Sequence, residues 1–336
     1  MKQKIAALAF SLALISQNAT AFAAEAPTNI LNVSYDVSRE LFTQFNQLFA
    51  QEWDAKNKTK FEIRQSHGGS SSQARAVLEG LQADVVTFNQ VTDVQVLHDK
   101  GNLIPANWQT RLPNDSSPFF SFPTFVVRKG NPKNIKDWDD LVKAGVQVVF
   151  PNPKTSGNGR YTYLGATAYA LKKFGGDKAK ARDFAKALFS NVPVFDTGGR
   201  AATTTFVNRG IGDVLVTFES EAYGIRHEAG EDKVDVVTPS VSFLAEFPVT
   251  VVDKVVDARN SRVAATAYLQ ALYSPSGQEL IAKNFYRPRD AAVTQKYAAQ
   301  FPAVTLVSAK DFGGWDAISK EHFADGAIVD QIYVNK

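Results

Sequence analysis

The stretch KFEIRQSHGGSSSQARAVLEGLQADVVTFN, residues 60–89, carries the pattern that decides the fold. Its first seven residues have strand character, and a loop of two glycines and three serines follows them. Apolar side chains then recur at helical spacing, at Ala74, Val77, Leu78 and Leu81. The segment ADVVTFN predicts a second strand. Strand, loop, helix and strand in this order indicate parallel strands joined by a crossover helix.

The same alternation begins upstream of this stretch. ILNVSYD, residues 30–36, predicts a strand, and the next segment predicts a helix. The apolar side chains of that helix recur at Phe42, Phe45, Phe49 and Trp53. The combined βαβαβ order predicts a mostly parallel sheet covered on both faces. Because ligands of such sheets bind at the carboxyl ends of the strands, the loops at Asp36 and Ser70 are candidate binding loops.

A second unit of the same kind follows the proline-rich stretch of residues 111–132. VQVVF, VPVFD and GDVLVTF predict its strands, and small-residue loops and helices connect them. The chain is about twice the usual domain length, which favours two lobes. Extended segments at 122–128 and 247–252 are candidates for the crossings between them. The expected division is residues 28–120 with 246–336 in one lobe and residues 121–245 in the other.

Residues 1–23 have the features of a cleaved secretory signal. Lys2 and Lys4 precede an apolar stretch of 11 residues, Ile5–Ile15, and the sequence Ala-Phe-Ala at 21–23 suits signal peptidase. The apolar stretch is too short to span a bilayer, which takes about 20 residues. The sequence therefore predicts an exported protein.

Composition narrows the function classes. With 0 cysteines, the protein cannot depend on disulfides and must be held together by its core. Removal of the two signal lysines takes Lys+Arg from 37 to 35 against 34 acidic side chains. This balance argues against general binding to nucleic acid or anionic lipid. The four histidines share no metal-ligand spacing, so no metal or other cofactor is expected.

Three loops share one plan, at His67–Gln73, Lys154–Tyr161 and Thr197–Phe206. Each is rich in Gly, Ser or Thr, follows a predicted strand and leads into a predicted helix. A helix N-terminus has backbone N–H groups without internal partners and carries about half a positive charge. A single loop of this kind is most often an ordinary turn. Three at corresponding places in two α/β lobes predict a convergent anion site built from neutral dipoles.

Longer motifs spread over the predicted mature chain resemble the periplasmic sulfate/thiosulfate-binding proteins. These motifs are LNVSYD, QSHGGSSSQA, ADVVT, LPNDSSP, VRKGNPKNIKDWDDL, PNPKTSGNGRYTYL, RGIGDVL, LYSPSGQE, NFYRPRD, FGGW and HFADG. The resemblance implies a two-lobed type II periplasmic-binding-protein fold, with a mainly parallel sheet in each lobe and two hinge strands. It also implies a monomeric, non-enzymatic receptor in the periplasm that delivers its anion to the membrane permease of an ABC importer.

The resemblance places the ligand-binding residues at Ser70, Ser156, Gly157, Asn158, Gly199 and Phe218. Its supporting residues are Asp36, Gly69, Arg160 and Arg200. Asn158 stands where the family has a glycine, and Phe218 stands where sulfate-preferring members have a tryptophan. The second departure removes one N–H donor, and together with TSGNGRYTYL, DTGGR and SFLAEFP it indicates the thiosulfate-leaning branch. Asp36 and Arg160 are interpreted as an ion pair bracing the loops, with a helix N-cap as the alternative for Asp36.

Two alternatives stay open at this point. The nearer is a receptor for another tetrahedral oxyanion such as phosphate, molybdate or tungstate. The other is an exported hydrolase of phosphate or sulfate esters, although G-x-S-x-G and metal-ligand motifs are missing from the sequence. Sulfate has no proton to donate, so a site made of donors suits it and its binding should vary little between about pH 5 and 8.

Overall fold

The computed structural model describes residues 27–333, so the predicted signal at residues 1–23 lies outside the described residues. The strands are β1 (Asn29–Tyr35), β2 (Glu62–Gly68), β3 (Val85–Thr87), β4 (Phe119–Ser121), β5 (Pro123–Arg128), β6 (Val148–Val149), β7 (Val214–Phe218), β8 (Val234–Val237), β9 (Val241–Phe243), β10 (Ala245–Glu246), β11 (Val249–Val251), β12 (Arg287–Pro288) and β13 (Thr305–Val307). The helices are α1 (Arg39–Asn57), α2 (Ser70–Leu78), α3 (Val91–Asp99), α4 (Pro113–Ser116), α5 (Trp138–Leu141), α6 (Gly157–Lys173), α7 (Lys178–Ser190), α8 (Gly199–Val207), α9 (Glu219–Ala229), α10 (Asp253–Ala258), α11 (Arg262–Ala271), α12 (Pro275–Lys283), α13 (Ala291–Lys296), α14 (Trp315–Ile318) and α15 (Ile328–Tyr333).

The first sheet has the order β11-β3-β1-β2 and confirms the predicted βαβαβ unit. Strand β1 pairs in parallel with both β2 and β3, and β11 joins the edge in antiparallel orientation. Helix α1 forms because its aromatic residues recur on one face, where Phe42, Phe45 and Phe49 are buried. Tyr268 of α11 contacts the rings of Phe45 and Phe49 edge-on, at centroid distances of 5.2 Å. These contacts pack α1 against α11.

The second sheet has the order β6-β7-β5-β8 and differs from the expectation of a mainly parallel sheet. Strands β6 and β7 are parallel, but β5 runs antiparallel to both β7 and β8. Strand β5 is the first strand of this sheet in the chain and enters it directly from β4, which belongs to another sheet. The predicted strand VPVFD, residues 192–196, is not in a ladder, although its Asp196 carbonyl accepts a hydrogen bond from the Asn152 amide (2.8 Å).

The chain passes between the two sheets through a small third sheet of order β10-β4-β12. The segments expected to cross between the lobes, 122–128 and 247–252, form β5 and β11 inside the two large sheets. Strands β4 and β10, which come directly before them, pair antiparallel in the small sheet. Strand β12 pairs with the other edge of β4. The crossings stay a prediction, and these pairings favour β4 and β10 as their positions.

The C-terminal segment lies beside the second sheet. Strand β13 pairs in parallel with β9, and helix α15 contacts α7. The Trp315 ring contacts Tyr161 at 5.7 Å and Phe243 at 6.1 Å. The predicted division assigned this segment to the lobe of the first sheet. The lobe boundaries stay a prediction, and these contacts favour moving the segment from β13 onward to the other lobe.

Candidate functional site

The three glycine-rich loops meet between the two large sheets, each at the start of a helix. Ser70, Gly157 and Gly199 are the first residues of α2, α6 and α8. All three are buried, and Ser156 and Asn158 are only 4% and 2% exposed. None of the three N-cap residues makes a side-chain hydrogen bond to its helix. N–H groups in the first turns of α2 and α6 therefore stay available for another acceptor, whereas at the start of α8 the Asp36 carboxylate already accepts a hydrogen bond from the Arg200 amide.

Direct contacts bring the three loops together. The Thr155 hydroxyl donates a hydrogen bond to the Thr197 carbonyl (3.0 Å), which joins the second loop to the third. A Cβ atom placed on Gly69 would lie 3.6 Å from the Thr155 carbonyl oxygen, which brings the first loop beside the second. A Cβ atom on Gly199 would lie 3.1 Å from the Val37 side chain and 3.2 Å from Asn158 Nδ2. The turn at residues 36–38 therefore lies beside the third loop, at the place where the three loops meet.

Gly157 is the point where α6 touches the segment that leads into α3. A Cβ atom at Gly157 would meet Asn89 Oδ1 at 2.2 Å and Gln90 Cγ at 2.7 Å. Asn89 and Gln90 are both buried, and Asn89 Oδ1 and Gln90 Nε2 have no hydrogen-bond partner. The Asn89 backbone N–H donates a hydrogen bond to Ser70 Oγ (3.4 Å). Sequence reasoning missed Asn89 and Gln90, since nothing in their local pattern marks them.

Arg160 forms its ion pair with Asp93, so the interpretation of Asp36 and Arg160 as a pair is wrong. An Arg160 terminal nitrogen lies 3.8 Å from Asp93 Oδ1 and donates to the Thr92 hydroxyl (3.4 Å). The Ser71 hydroxyl donates to the same Asp93 carboxylate (2.9 Å). Burial raises the pKa of Asp93, while Arg160 and the neighbouring serine hydroxyls oppose this effect. The pair ties the start of α6 to the starts of α2 and α3.

Asp36 contacts the start of α8 rather than Arg160. Its carboxylate accepts hydrogen bonds from the Val37 amide (3.1 Å) and the Arg200 amide (3.3 Å). The alternative reading of Asp36 as the N-cap of α1 is also wrong, because Ser38 occupies that position. The Arg200 side chain donates to Glu40 of α1 (2.9 Å). Asp36 and Arg200 thus both connect α8 to the turn and helix that follow β1.

Asn158 begins a chain of polar side chains that sequence reasoning also missed. Its Nδ2 donates to the Thr217 hydroxyl (2.8 Å), and Thr217 donates to Glu221. The Thr203 hydroxyl donates to the other Glu221 oxygen (2.6 Å). Burial raises the pKa of Glu221 to about 7, and Asp36 adds to this effect while the two hydroxyls oppose it. No local pattern in the sequence marks this chain of side chains, because its members come from α6, α8, β7 and α9.

Phe218 ends β7 and is fully buried in an aromatic cluster. Its ring meets Tyr161 at 5.8 Å and Phe247 at 5.2 Å, both close to edge-on. The side chain offers no hydrogen-bond donor to the loops.

The arrangement is suited to holding an anion. The starts of three helices supply backbone donors, Ser70 and Ser156 supply hydroxyls, and the nearby Asp93 and Arg160 are paired with each other. His67 adjoins the first loop, where its Nδ1 lies 3.4 Å from the Tyr35 carbonyl. Burial lowers the pKa of His67, with Arg39 adding to the effect, which favours the neutral ring. Within residues 27–333, no cluster of three or more His, Asp or Glu could hold a metal.

Comparisons with known proteins agree with this description. Residues 31–287 match the profile of the family described as bacterial extracellular solute-binding protein. A thiosulfate-binding protein of Pseudomonas aeruginosa is 55% identical over 326 residues, which are 96% of this chain and 98% of the relative. A sulfate-binding protein of Salmonella typhimurium is 53% identical over 304 residues, covering 90% and 92%. None of the helices in residues 27–333 is long and apolar enough to cross a membrane.

A solved structure extends the comparison to the fold. The sulfate-binding protein SubI from Mycobacterium tuberculosis superposes with a TM-score of 0.80 at 33% identity. The superposition covers 88% of this chain and 100% of SubI. The α/β architecture of two sheets connected by short strands is therefore that of the periplasmic binding proteins.

Proposed function

The chain belongs to the sulfate/thiosulfate-binding branch of the bacterial extracellular solute-binding proteins, and from this membership we propose that it binds thiosulfate or sulfate between its two sheets. The proposed compartment is the periplasm, and the proposed partner is the membrane permease of an ABC importer. The observation that carries the proposal is the meeting of three helix starts at one buried place, none of them capped by its own N-cap side chain. Membership of a binding-protein family makes the ester-hydrolase alternative wrong.

Neutral donors suit these anions for a chemical reason. Sulfate and thiosulfate are fully ionised at neutral pH, so they accept hydrogen bonds and donate none. A hydrogen bond to a charged group contributes about 1.5–3 kcal/mol net. A binding free energy of about −8 kcal/mol already corresponds to a micromolar dissociation constant. The donors of the three helix starts, with Ser70 and Ser156, are enough to reach that range after the cost of desolvation.

The composition offers independent support. The sequence contains 0 cysteines and 1 methionine, which is Met1. Residues 2–336 therefore contain no sulfur atom. Such a chain draws little on the sulfur supply of the cell, which suits a receptor needed when sulfur is scarce.

Isothermal titration with thiosulfate, sulfate, phosphate and molybdate, in a chloride–HEPES buffer, tests the proposal. We expect thiosulfate and sulfate to bind with micromolar or lower dissociation constants. Tighter binding of phosphate or molybdate than of both sulfur anions would instead identify a receptor for another tetrahedral oxyanion.

Ser70→Ala should raise the dissociation constant of thiosulfate by about 10- to 100-fold, because one hydrogen bond to a charged ligand is lost. The fold should persist, since the Ser70 hydroxyl accepts a long bond from the Asn89 backbone N–H, and its other partner, the Asp93 carboxylate, keeps the bond from Ser71. The matched control is Ser72→Ala, which changes an exposed serine in the same helical turn and should leave affinity unchanged. Equal dissociation constants for the Ser70 variant and the wild type would remove Ser70 from the site.

Phe218→Trp should shift selectivity toward sulfate. The indole adds one N–H donor at the end of β7, and oxygen accepts hydrogen bonds better than the terminal sulfur of thiosulfate. We expect the ratio of sulfate to thiosulfate dissociation constants to fall severalfold. Phe218→Leu alters the shape without adding a donor, so a similar shift in that variant would assign selectivity to packing. Thermal unfolding should accompany both titrations, because Phe218 contacts Tyr161 and Phe247.

A further inference from the structure

Glu221 lies at the end of a hydrogen-bonded chain whose direction is fixed. Asn158 Nδ2 can only donate, so Thr217 Oγ1 accepts its bond (2.8 Å). The single proton of the Thr217 hydroxyl is then directed at Glu221 Oε2. This oxygen therefore accepts a bond whether or not Glu221 is ionised. Any proton bound by Glu221 must be carried by the other oxygen, Oε1.

Oε1 has a partner that can serve both protonation states. The Thr203 hydroxyl lies 2.6 Å from Glu221 Oε1 and 3.2 Å from the Gly199 carbonyl oxygen. When Glu221 is ionised, the single Thr203 proton is donated to Oε1. When Glu221 is protonated, Oε1 donates to Thr203, which then donates to the Gly199 carbonyl. The same heavy atoms thus satisfy either state without rearrangement.

Charges on every neighbouring element act on this carboxyl group. Asp36 from the turn after β1 opposes its ionisation, and Arg200 of α8 favours it. Glu40 of α1 holds the Arg200 side chain at 2.9 Å. The buried phenols Tyr35 and Tyr286 lie near enough for Glu221 to contribute to the rise in their pKa. With burial as the largest cause, these surroundings raise the pKa of Glu221 to about 7.

Solvent protons can reach Glu221. The residue lines a cleft of about 760 Å³ between α1, α8, α9 and the segment after α12. The other titratable residues that line this cleft are Glu40, Arg200, His227, Glu228, Lys283 and Tyr286. A Cβ atom on Gly199 would lie 3.6 Å from Glu221 Oε2. Glu221 therefore lies between this cleft and the start of α8.

We propose that Glu221 takes up a proton from solvent when the divalent anion binds, so that thiosulfate or sulfate is held together with one proton. The inference rests on the proposed function. The two negative charges of the bound anion, at the start of α8, disfavour a further negative charge on Glu221. Because the Thr203 hydroxyl can accept a hydrogen bond as well as donate one, Glu221 can become protonated without losing a hydrogen bond. Glu221 is a positioning residue, since it acts on the anion through Thr203 and the Gly199 peptide.

The sign of the pH effect follows from this linkage. Below about pH 7 Glu221 already carries its proton in the free protein, so affinity is constant there. Above that pH, binding requires proton uptake, and the dissociation constant rises by up to about tenfold per pH unit. The affinity, which was expected to vary little between pH 5 and 8, is therefore expected to fall in the part of that range above about pH 7.

Calorimetric titration of the full chain with thiosulfate at pH 7.5, in Tris and in HEPES, measures the uptake. The two buffers differ in ionisation enthalpy, so the difference in observed heat gives the number of protons bound. We expect the wild type to take up about half a proton or more. Glu221→Gln should take up none, and its dissociation constant should be the same from pH 6 to 8.5. Glu228→Gln, an exposed change on the same helix and cleft, should behave as the wild type.

Each contrary outcome has a distinct meaning. Thiosulfate binding by the wild type without proton uptake would overturn this inference and leave the proposed function intact, whereas no binding would overturn the proposed function. Uptake that persists in Glu221→Gln but disappears in Asp93→Asn would assign the proton to Asp93. If Glu221→Gln does not fold, Thr203→Val serves instead. Loss of that donor should move the midpoint of the affinity profile to higher pH, and an unmoved midpoint would contradict the inference.

Discussion

Gly157→Ala should weaken thiosulfate binding by about a hundredfold or more while leaving both large sheets folded. The added Cβ atom would meet Asn89 Oδ1 at 2.2 Å and Gln90 Cγ at 2.7 Å, so the start of α6 must move away from the segment before α3. Overpacking costs about 1–3 kcal/mol. Displacement of the α6 amides adds about 1.5–3 kcal/mol for each hydrogen bond that the anion loses. Calorimetric titration measures the dissociation constant of thiosulfate, and far-ultraviolet circular dichroism measures whether the secondary structure is kept.

The control for this variant is Gly224→Ala, because a Cβ atom there meets nothing within 4 Å. Its dissociation constant should equal that of the wild type. Asn89→Ala combined with Gly157→Ala makes room for the new methyl group and should restore part of the lost affinity. A change of less than about threefold in the single variant would show that the contact between Gly157 and Asn89 does not form when the anion binds.

Local patterns predicted the elements around the site well, since each depends on neighbours in sequence. The aromatic spacing of α1 and the order of β1, β2 and β3 were confirmed. The three glycine-rich loops were recognised because glycine, serine and threonine before a helix are a local signal. Their proximity in space rests on contacts such as the bond from Thr155 to Thr197.

The parts that were predicted incorrectly depend on long-range geometry. Arg160 is 67 residues from Asp93 and 124 from Asp36, and no pattern in one sequence distinguishes the two carboxylates as partners. The direction of β5 depends on how the chain enters the second sheet from β4. Glu221 became visible only after folding placed Asn158, Thr203 and Thr217 around it. Side-chain partners from different elements are therefore the information that the sequence alone lacks.

A buried ion pair holds the connecting sheet against the start of α9. Arg287 of β12 donates two hydrogen bonds to the Glu219 carboxylate (2.7 and 2.8 Å), and the Glu219 side chain is fully buried. Arg287 also donates to the Pro302 carbonyl (2.6 Å) and lies 4.9 Å from the Phe122 ring centroid. The pair therefore joins three segments at the place where the chain passes between the sheets.

Arg287→Met should lower the free energy of unfolding by about 3–5 kcal/mol at pH 8, because it leaves the Glu219 charge buried without a partner. Burial already raises the pKa of Glu219 against the opposing effect of Arg287. In the variant this pKa rises further, so the native state binds more protons than the unfolded state between the two pKa values. The unfolding free energy of the variant therefore falls as pH rises through that window, and the loss should be smaller at pH 5.

Urea denaturation at pH 5 and pH 8 measures both parts of this expectation. Arg289→Met is the matched control, because Arg289 and its partner Glu246 are both partly exposed and their pair should contribute about 1 kcal/mol or less. Adding Glu219→Gln to Arg287→Met removes the buried charge and should recover much of the stability at pH 8. If the single variant loses less than about 1 kcal/mol at pH 8, the ion pair is not what holds β12 against α9.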